Sequence, residues 1–244
     1  TGQEWINYNQ MYYKIPVGKD GIYRLTYSNL AAAGLPVNGI NPLQLQLFHR
    51  GTEQAIYIHG EQDSKFDAGD YIEFYGRRND GTLDKELYKP ASAQPHSYYN
   101  LYSDTTAYFL TYNPLAGQGK RMDLFQEVNV TNIPVETHQF DEKLSLITNQ
   151  YATGKTYHSY LQTSYFDEAE GWTGTEIRQG QMQDYTLSNI VRGVPGQGAP
   201  QLEVMIVGRG PMPHTVEISV GPNASSLTVI ATQSFTDFET RVIS

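Results

Sequence analysis

The chain has 244 residues, 19 of them tyrosine and none cysteine, and carries a formal charge of −9. Disulfides, thiolate metal sites and a cysteine nucleophile are therefore excluded within these residues, and an acidic chain without a basic patch argues against nucleic acid as a partner. No apolar run approaches the ~20 residues that a membrane-spanning helix needs, so no transmembrane segment is expected.

Glycine and proline punctuate the chain every few residues and long amphipathic helical runs are missing, which predicts an all-β class. Residues 12–17 and 22–27 alternate apolar and polar side chains and predict a hairpin, with Lys19, Asp20 and Gly21 as its turn. Ser28 is placed to cap a short helix over 29–33, which Gly34 and Pro36 end. Leucine and glutamine alternate over 43–49 in the pattern of a half-buried strand; a turn at 50–53 leads into another strand over 54–59. A loop over 63–70 precedes a strand at 71–75. Residues 77–100 are polar and proline-dotted and read as a long connection, followed by strands over 107–112 and 127–136.

Beyond that point the segment 141–160 is polar and reads as partly helical, and 168–174 as a glycine–tryptophan loop. Regular strands are expected over 185–191, 201–207, 215–220, 227–231 and 239–243, separated by turns at 195–198, 208–211 and 221–223. The resulting expectation is two β-sandwich-like modules with one or two short helices, residues 1–138 forming the first and 139–244 the second. Strand alternation runs up to residue 243 without a closing turn, and the chain opens on Thr1 without an apolar leader; both read as the ends of a processed or trimmed piece.

The carboxylates Asp63, Asp67 and Asp70 place hard oxygens within a short loop, as a Ca²⁺ site requires. Their spacing departs from the helix–loop–helix template: with Asp63 at position 1, positions 3, 6 and 12 are Lys65, Ala68 and Phe74. A turn around Gly69, capped by Asp67 and Asp70, accounts for the same residues and is the favoured reading. The six histidines, at 49, 59, 96, 138, 158 and 214, show no pair at ligand-like spacing and read as structural or exposed. Gly154, Lys155 and Thr156 match the tail of a phosphate-binding loop, but Asn149 stands where the leading glycine belongs. No nucleophile elbow is present.

Asp167, Glu168 and Glu170 beside Trp172 suggest the paired carboxylates of a glycosidase. A solvated acidic turn anchored by a buried tryptophan explains them with less. Tyr98, Tyr99 and Tyr102, with Tyr108 and Tyr112, offer a sugar-stacking platform on a sheet face. Their interleaving with apolar residues favours packing instead. No catalytic or cofactor-binding residue is expected, and Ca²⁺ is the one ion considered.

As a set, residues 5–8, 12–17, 21–27 and 29–34, with 45–51, 67–76, 79–84, 100–111 and 170–172, resemble the N-terminal region of large Bacteroidetes cell-surface proteins. Those proteins carry a gingipain-like cysteine peptidase domain further along and include the sortase-like component of type IX secretion. The resemblance covers most of residues 5–175. It implies a secreted or outer-membrane-surface location with the signal peptide removed, and β-sandwich modules ahead of a catalytic domain. The family's catalytic cysteine and histidine lie in that downstream domain, so no catalytic residue carries over. The resemblance also makes Asp104, Thr105 and Thr106 a match to the short O-glycosylation acceptor pattern of that phylum.

The function expected is therefore non-catalytic: β modules that position or shield a downstream domain of the same polypeptide and contact a cell-surface protein. The alternative is an adhesin-like module binding carbohydrate or a cell surface, with or without Ca²⁺.

Overall fold

The computed structural model describes residues 5–115, 117–126, 134–136, 140–155, 164–190, 193, 196 and 200–244. His138, His158, Thr156, the turn at 195–198 and most of the expected strand over 127–136 lie outside the described residues. The chain divides into two units, one built from Thr1–Asp80 with Tyr102–Thr131, the other from Gly81–Leu101 with Asn132–Ser244. Residues 81–101, which a contiguous division at 138 leaves in the first module, thus belong with the second unit.

In the first unit the strands are β1 (Tyr12–Val17), β2 (Gly21–Thr26), β3 (Leu45–His49), β4 (Thr52–Gln54), β5 (Tyr57–His59), β6 (Tyr71–Gly76) and β7 (Thr106–Tyr112). They form two antiparallel sheets with strand orders β1-β7-β3-β4 and β2-β6-β5. Period-two alternation gives each sheet one apolar face. Val17, Leu45, Leu47, Tyr108 and Leu110 from one sheet and Ile58, Ile72 and Phe74 from the other join a single buried core, so the unit is a β-sandwich. The rings of Phe74 and Tyr108 meet with centroids 5.1 Å apart. Removing a leucine from such a core costs about 2–5 kcal/mol. On the outer face of the larger sheet, Trp5 packs on the cross-strand pair Phe48 and Phe109, at 5.4 and 5.6 Å.

Residues 12–27 do not form the expected hairpin. β1 pairs with β7 and β2 with β6, so the chain passes from one sheet to the other at residues 18–20. Ile15 and Val17 then face Tyr23 and Leu25 within one core instead of lying beside them on one sheet. The corner is fixed by side chains: the Tyr23 hydroxyl donates to the Lys19 carbonyl (3.0 Å), and Arg78 N–H donates to Asp20 Oδ1 (2.7 Å). The strand expected over 54–59 splits in the same way. β4 pairs with β3 and β5 with β6, and between them fully buried Ile56 donates its N–H to Lys120 O (3.2 Å). β3 and β4 do make a two-residue hairpin, in which Arg50 and Gly51 both take positive φ (48° and 80°), as a type I′ turn demands.

Helix α1 (Tyr27–Ala32) starts earlier than expected, because Thr26 and not Ser28 is its cap. Thr26 Oγ1 accepts from Asn29 N–H (3.2 Å) and Asn29 Oδ1 accepts from Thr26 N–H (3.2 Å), a reciprocal box in which asparagine takes the place of the usual Glu or Gln.

The second unit contains β8 (Gln150–Thr153), β9 (Glu170–Thr173), β10 (Val204–Val207), β11 (Pro213–Val220), β12 (Thr228–Thr236) and β13 (Thr240–Ile243). Its ladders among the described residues are antiparallel pairs: β8 with β9, β10 with β13, and β11 with β12. Residues 140–149 hold no helix, 185–190 no strand, and the expected loop at 168–174 contains β9. The period of β9 is hidden because its inward position is a glycine, Gly171. With thirteen strands, one α-helix and four short 3-10 turns among the described residues, the chain is all-β, and no described helix is long and apolar enough to cross a membrane.

The capping box gives a direct test. Thr26→Ala is expected to lower unfolding free energy by about 1 kcal/mol in urea titrations, while Ser28→Ala stays within about 0.5 kcal/mol of the parent. Equal losses from the two changes would return the cap to Ser28.

Candidate aromatic binding site

In the second unit, segment 81–101 folds back on itself to make a floor. Gly81 N–H donates to Ser97 O (3.0 Å), and Gln94 Nε2 donates to Gly81 O (2.7 Å). Asp84 is buried but well satisfied: its carboxylate accepts from Leu101 N–H (2.8 Å) and from the Asn100 amide. A buried carboxylate holding two donors fixes the backbone at 100–101.

The β8–β9 hairpin lies on this floor, with Tyr151 opposite Trp172, Ala152 opposite Gly171 and Thr153 opposite Glu170. Ala152 and Gly171 are the buried pair. Gly171 is required twice over: its φ is +135°, and a Cβ there would meet Tyr88 Oη at 3.3 Å and Leu101 Cδ2 at 3.4 Å. Tyr88 in turn donates its hydroxyl to Glu170 O (3.0 Å) and rests its ring against Phe166, 5.5 Å between centroids.

Alternation sends Tyr151, Thr153, Glu170 and Trp172 to the opposite, outward face. Trp172 is 38% exposed and Tyr151 37%, their rings nearly perpendicular (79°) at 5.5 Å. The indole is held at its rim, since Nε1–H donates to Leu101 O (3.1 Å), and its backbone is held too, since the Trp172 main-chain carbonyl accepts from the Tyr99 hydroxyl. Tyr151 donates its hydroxyl to Glu170 Oε1 (2.8 Å), while Glu170 Oε2 accepts from Asp167 N–H (3.2 Å). The His96 ring lies 4.4 Å from Tyr99 and 5.4 Å from Tyr98, and His96 Nδ1 accepts from Tyr98 N–H. Between Asp84, Tyr88, His96, Tyr99 and Trp172 remains a cavity of about 10 Å³, room for about one water.

Burial shifts each of these groups toward its neutral form. It pushes the Tyr99 phenol up to about 12 and lowers the His96 imidazole below its ordinary value. It also raises the Glu170 carboxyl, against the opposing hydrogen bonds from Tyr151 and Asp167 N–H. The assembly offers a rigid exposed ring, a second ring as a wall and a carboxylate with lone pairs to spare.

Tyr98 and Tyr99 belong to this unit, whereas Tyr102 belongs to the first. Tyr108 is core, and Tyr112 is half-buried with its hydroxyl on Gln44 Oε1 (3.1 Å), so the five tyrosines do not make one platform. Trp172, expected as a buried anchor, faces outward because glycine and alanine fill the inward positions. Tyr151 and His96 carried no motif, and the alternation through Tyr151 and Thr153 was the available signal.

Asp63 Oδ1 accepts from Lys65 N–H (2.9 Å) and Asp70 Oδ2 from Asp67 N–H (2.7 Å), while Asp67 O accepts from Asp70 N–H (3.0 Å). These contacts are those of a capped turn. Among the described residues no group of three or more His, Asp or Glu is arranged to hold a metal ion. His49 stacks on Tyr108 (4.1 Å, 5°), His59 on Tyr71 (4.9 Å, 7°), and His214 packs on Phe235 (4.9 Å). Lys155 Nζ pairs with Asp237 (2.7 Å) and Glu168 (3.2 Å).

No family profile, curated protein or solved structure matches the chain.

Carboxyl carbon shifts in NMR are expected to place the Glu170 midpoint above 4.5, and Tyr151→Phe to raise it further by removing a bond to the charged form. The folded state then binds this proton more tightly than the unfolded one, so the group's contribution to stability falls as pH rises from the ordinary to the raised value. A midpoint that drops in Tyr151→Phe would contradict the hydrogen-bond assignment.

Proposed function

We propose that these residues are non-catalytic β modules of an exported, gingipain-like cell-surface protein, which position and shield another domain of the same polypeptide and make surface contacts. The observation that carries the reading is on β12. Val229 and Ile230 sit at a β-bulge of the β11–β12 ladder, where Ser219 pairs with Val229 and Ile218 with Ala231 and Ile230 is the extra residue, and they are 53% and 51% exposed. Val220 on β11 and Val242 on β13 are exposed as well. Apolar strand residues left uncovered suit a surface that another protein body covers. The first unit, in contrast, has a core of fourteen buried apolar residues between its own sheets.

The titratable groups support a scaffold over a reaction centre. Asp63, Asp70 and Asp84 satisfy backbone N–H groups, and His49, His59 and His214 pack on aromatic rings. These are roles that fix loops and strands, and they use the lone pairs and ring faces that chemistry would need.

Hydrogen exchange read by mass spectrometry tests the docking. Peptides covering Thr228–Thr236 are expected to exchange at least about tenfold more slowly in the full-length polypeptide than in the isolated 244 residues. The double change Val229→Asp and Ile230→Asp should erase that difference while leaving the isolated chain's stability within about 0.5 kcal/mol. Equal exchange in the two contexts would remove the basis of the proposal.

A further inference from the structure

The aromatic site carries its own ligand class. We propose that the outward face of the β8–β9 hairpin is a saccharide subsite: it takes a gluco-configured pyranose of a β-linked chain, stacked on Trp172 with a hydroxyl donated to Glu170. This inference stands apart from the docking of β12, since it uses different residues and a different partner.

The first ground is preorganisation. Trp172 is tied through Nε1–H to Leu101 O (3.1 Å) and through its carbonyl to the Tyr99 hydroxyl, so the indole keeps its pose before any ligand arrives. A ligand that stacks on it has no rotamer to immobilise, which removes one of the usual costs of binding. One hydrogen bond fixes the ring and the other fixes the backbone that carries it. The second ground is shape. A pyranose whose substituents are all equatorial turns its axial C–H bonds to the two ring faces, and these weakly positive hydrogens meet the negative face of an aromatic ring. Tyr151, nearly perpendicular at 5.5 Å, walls one side of that surface.

The third ground is the pattern of polar groups. Glu170 shares the outward face with Trp172, and its two oxygens each take one protein donor, from Tyr151 and from Asp167 N–H. Each ionised oxygen has a further lone pair for a sugar hydroxyl, and Thr153, paired with Glu170, adds a hydroxyl on the same face. The adjoining cavity of about 10 Å³ holds no more than a water, so an apolar ligand that must be engulfed has no place here. The chain's charge of −9 and this carboxylate disfavour phosphate esters and other anions. What remains is a neutral ligand with many donors and one flat apolar face.

The chain's two tryptophans make the test simple, because Trp5→Phe leaves Trp172 as the one indole reporter. Titration of that variant with cellohexaose is expected to give a saturable change in tryptophan emission with a Kd in the millimolar range. An oligomer of galactose, whose 4-hydroxyl is axial and interrupts the flat face, should bind at least about threefold more weakly. Followed by NMR in the parent chain, Trp172→Ala should weaken cellohexaose binding by about tenfold or more, the size of one aromatic contact. Glu170→Gln keeps the size of the side chain but replaces one of its two acceptor oxygens by a donor, and should weaken it about threefold or more. Far-UV circular dichroism checks that each variant is folded. No saturable response up to about 20 mM cellohexaose in the folded parent, or equal affinity in both variants, would overturn the assignment, and neither result bears on exchange at β12.

Discussion

The first unit is organised by a single requirement: the apolar faces of two sheets must cover each other. Phe74 against Tyr108 marks the contact, and Leu45, Leu47, Leu110, Ile58 and Ile72 complete it. A lone two-stranded ribbon cannot bury an apolar face, whereas two sheets packed together bury both. That gain outweighs the local convenience of a hairpin, and the chain therefore changes sheet four times, two of them, at residues 18–20 and at Ile56, within what reads as one hairpin and one strand. The strand orders β1-β7-β3-β4 and β2-β6-β5 show the consequence, since the crossings at residues 18–20 and at Ile56 each join two edge strands, β1 to β2 and β4 to β5. Buried Ile56 lies at the latter crossing, where its N–H and carbonyl are satisfied by Lys120 O and Met122 N–H.

The second unit is held by specific polar contacts more than by a large core. Its buried apolar residues among those described are few: Tyr88, Ala152, Ala169, Phe235 and Ile243. Order around the hairpin comes from Asp84 gripping residues 100 and 101, from Tyr88 reaching the Glu170 carbonyl and from the close seat of Gly171. Such contacts fix direction well, because each donor and acceptor allows only a narrow geometry, although each adds only about 1 kcal/mol. A binding face gains from that bargain, since it needs fixed rings at a surface and little depth beneath them.

What could be read from the amino acids follows from the range of the forces involved. Strand existence rests on alternation between neighbours, so β3, β6, β7 and β11 lie close to where the pattern puts them. Partner choice rests on contacts far apart in sequence, which alternation cannot encode; hence the hairpin expected at residues 12–27 became two strands in different sheets. The helix cap was misplaced because Thr26 and Ser28 are both good caps, and the asparagine that completes the box at residue 29 is not the Glu or Gln usually looked for. For the candidate site, Tyr98 and Tyr99 were visible as aromatics, but their neighbours come from Trp172 more than seventy positions away. Trp172 itself was misjudged, because a tryptophan beside glycine reads as an anchor until the inward position is seen to be the glycine's.

The chain's histidines and its exposed tryptophan spend their polar groups differently. A general base needs a lone pair aimed at open space and a pKa near the working pH. His96 spends Nδ1 on Tyr98 N–H and is driven toward the neutral form by burial, and His49 is stacked on Tyr108 with its Nε2 on Thr106 Oγ1 at 3.0 Å. Trp172 presents the opposite case: its one donor is spent inside the protein, and what it turns outward is an apolar ring face that can only stack. Beside it, Glu170 has each carboxyl oxygen held by a protein donor, Tyr151 O–H on one and Asp167 N–H on the other. An indole tied through Nε1–H and a carboxylate held by two donors are fixed in place before any contact is made, and in this unit both lie on the outward side of β8 and β9.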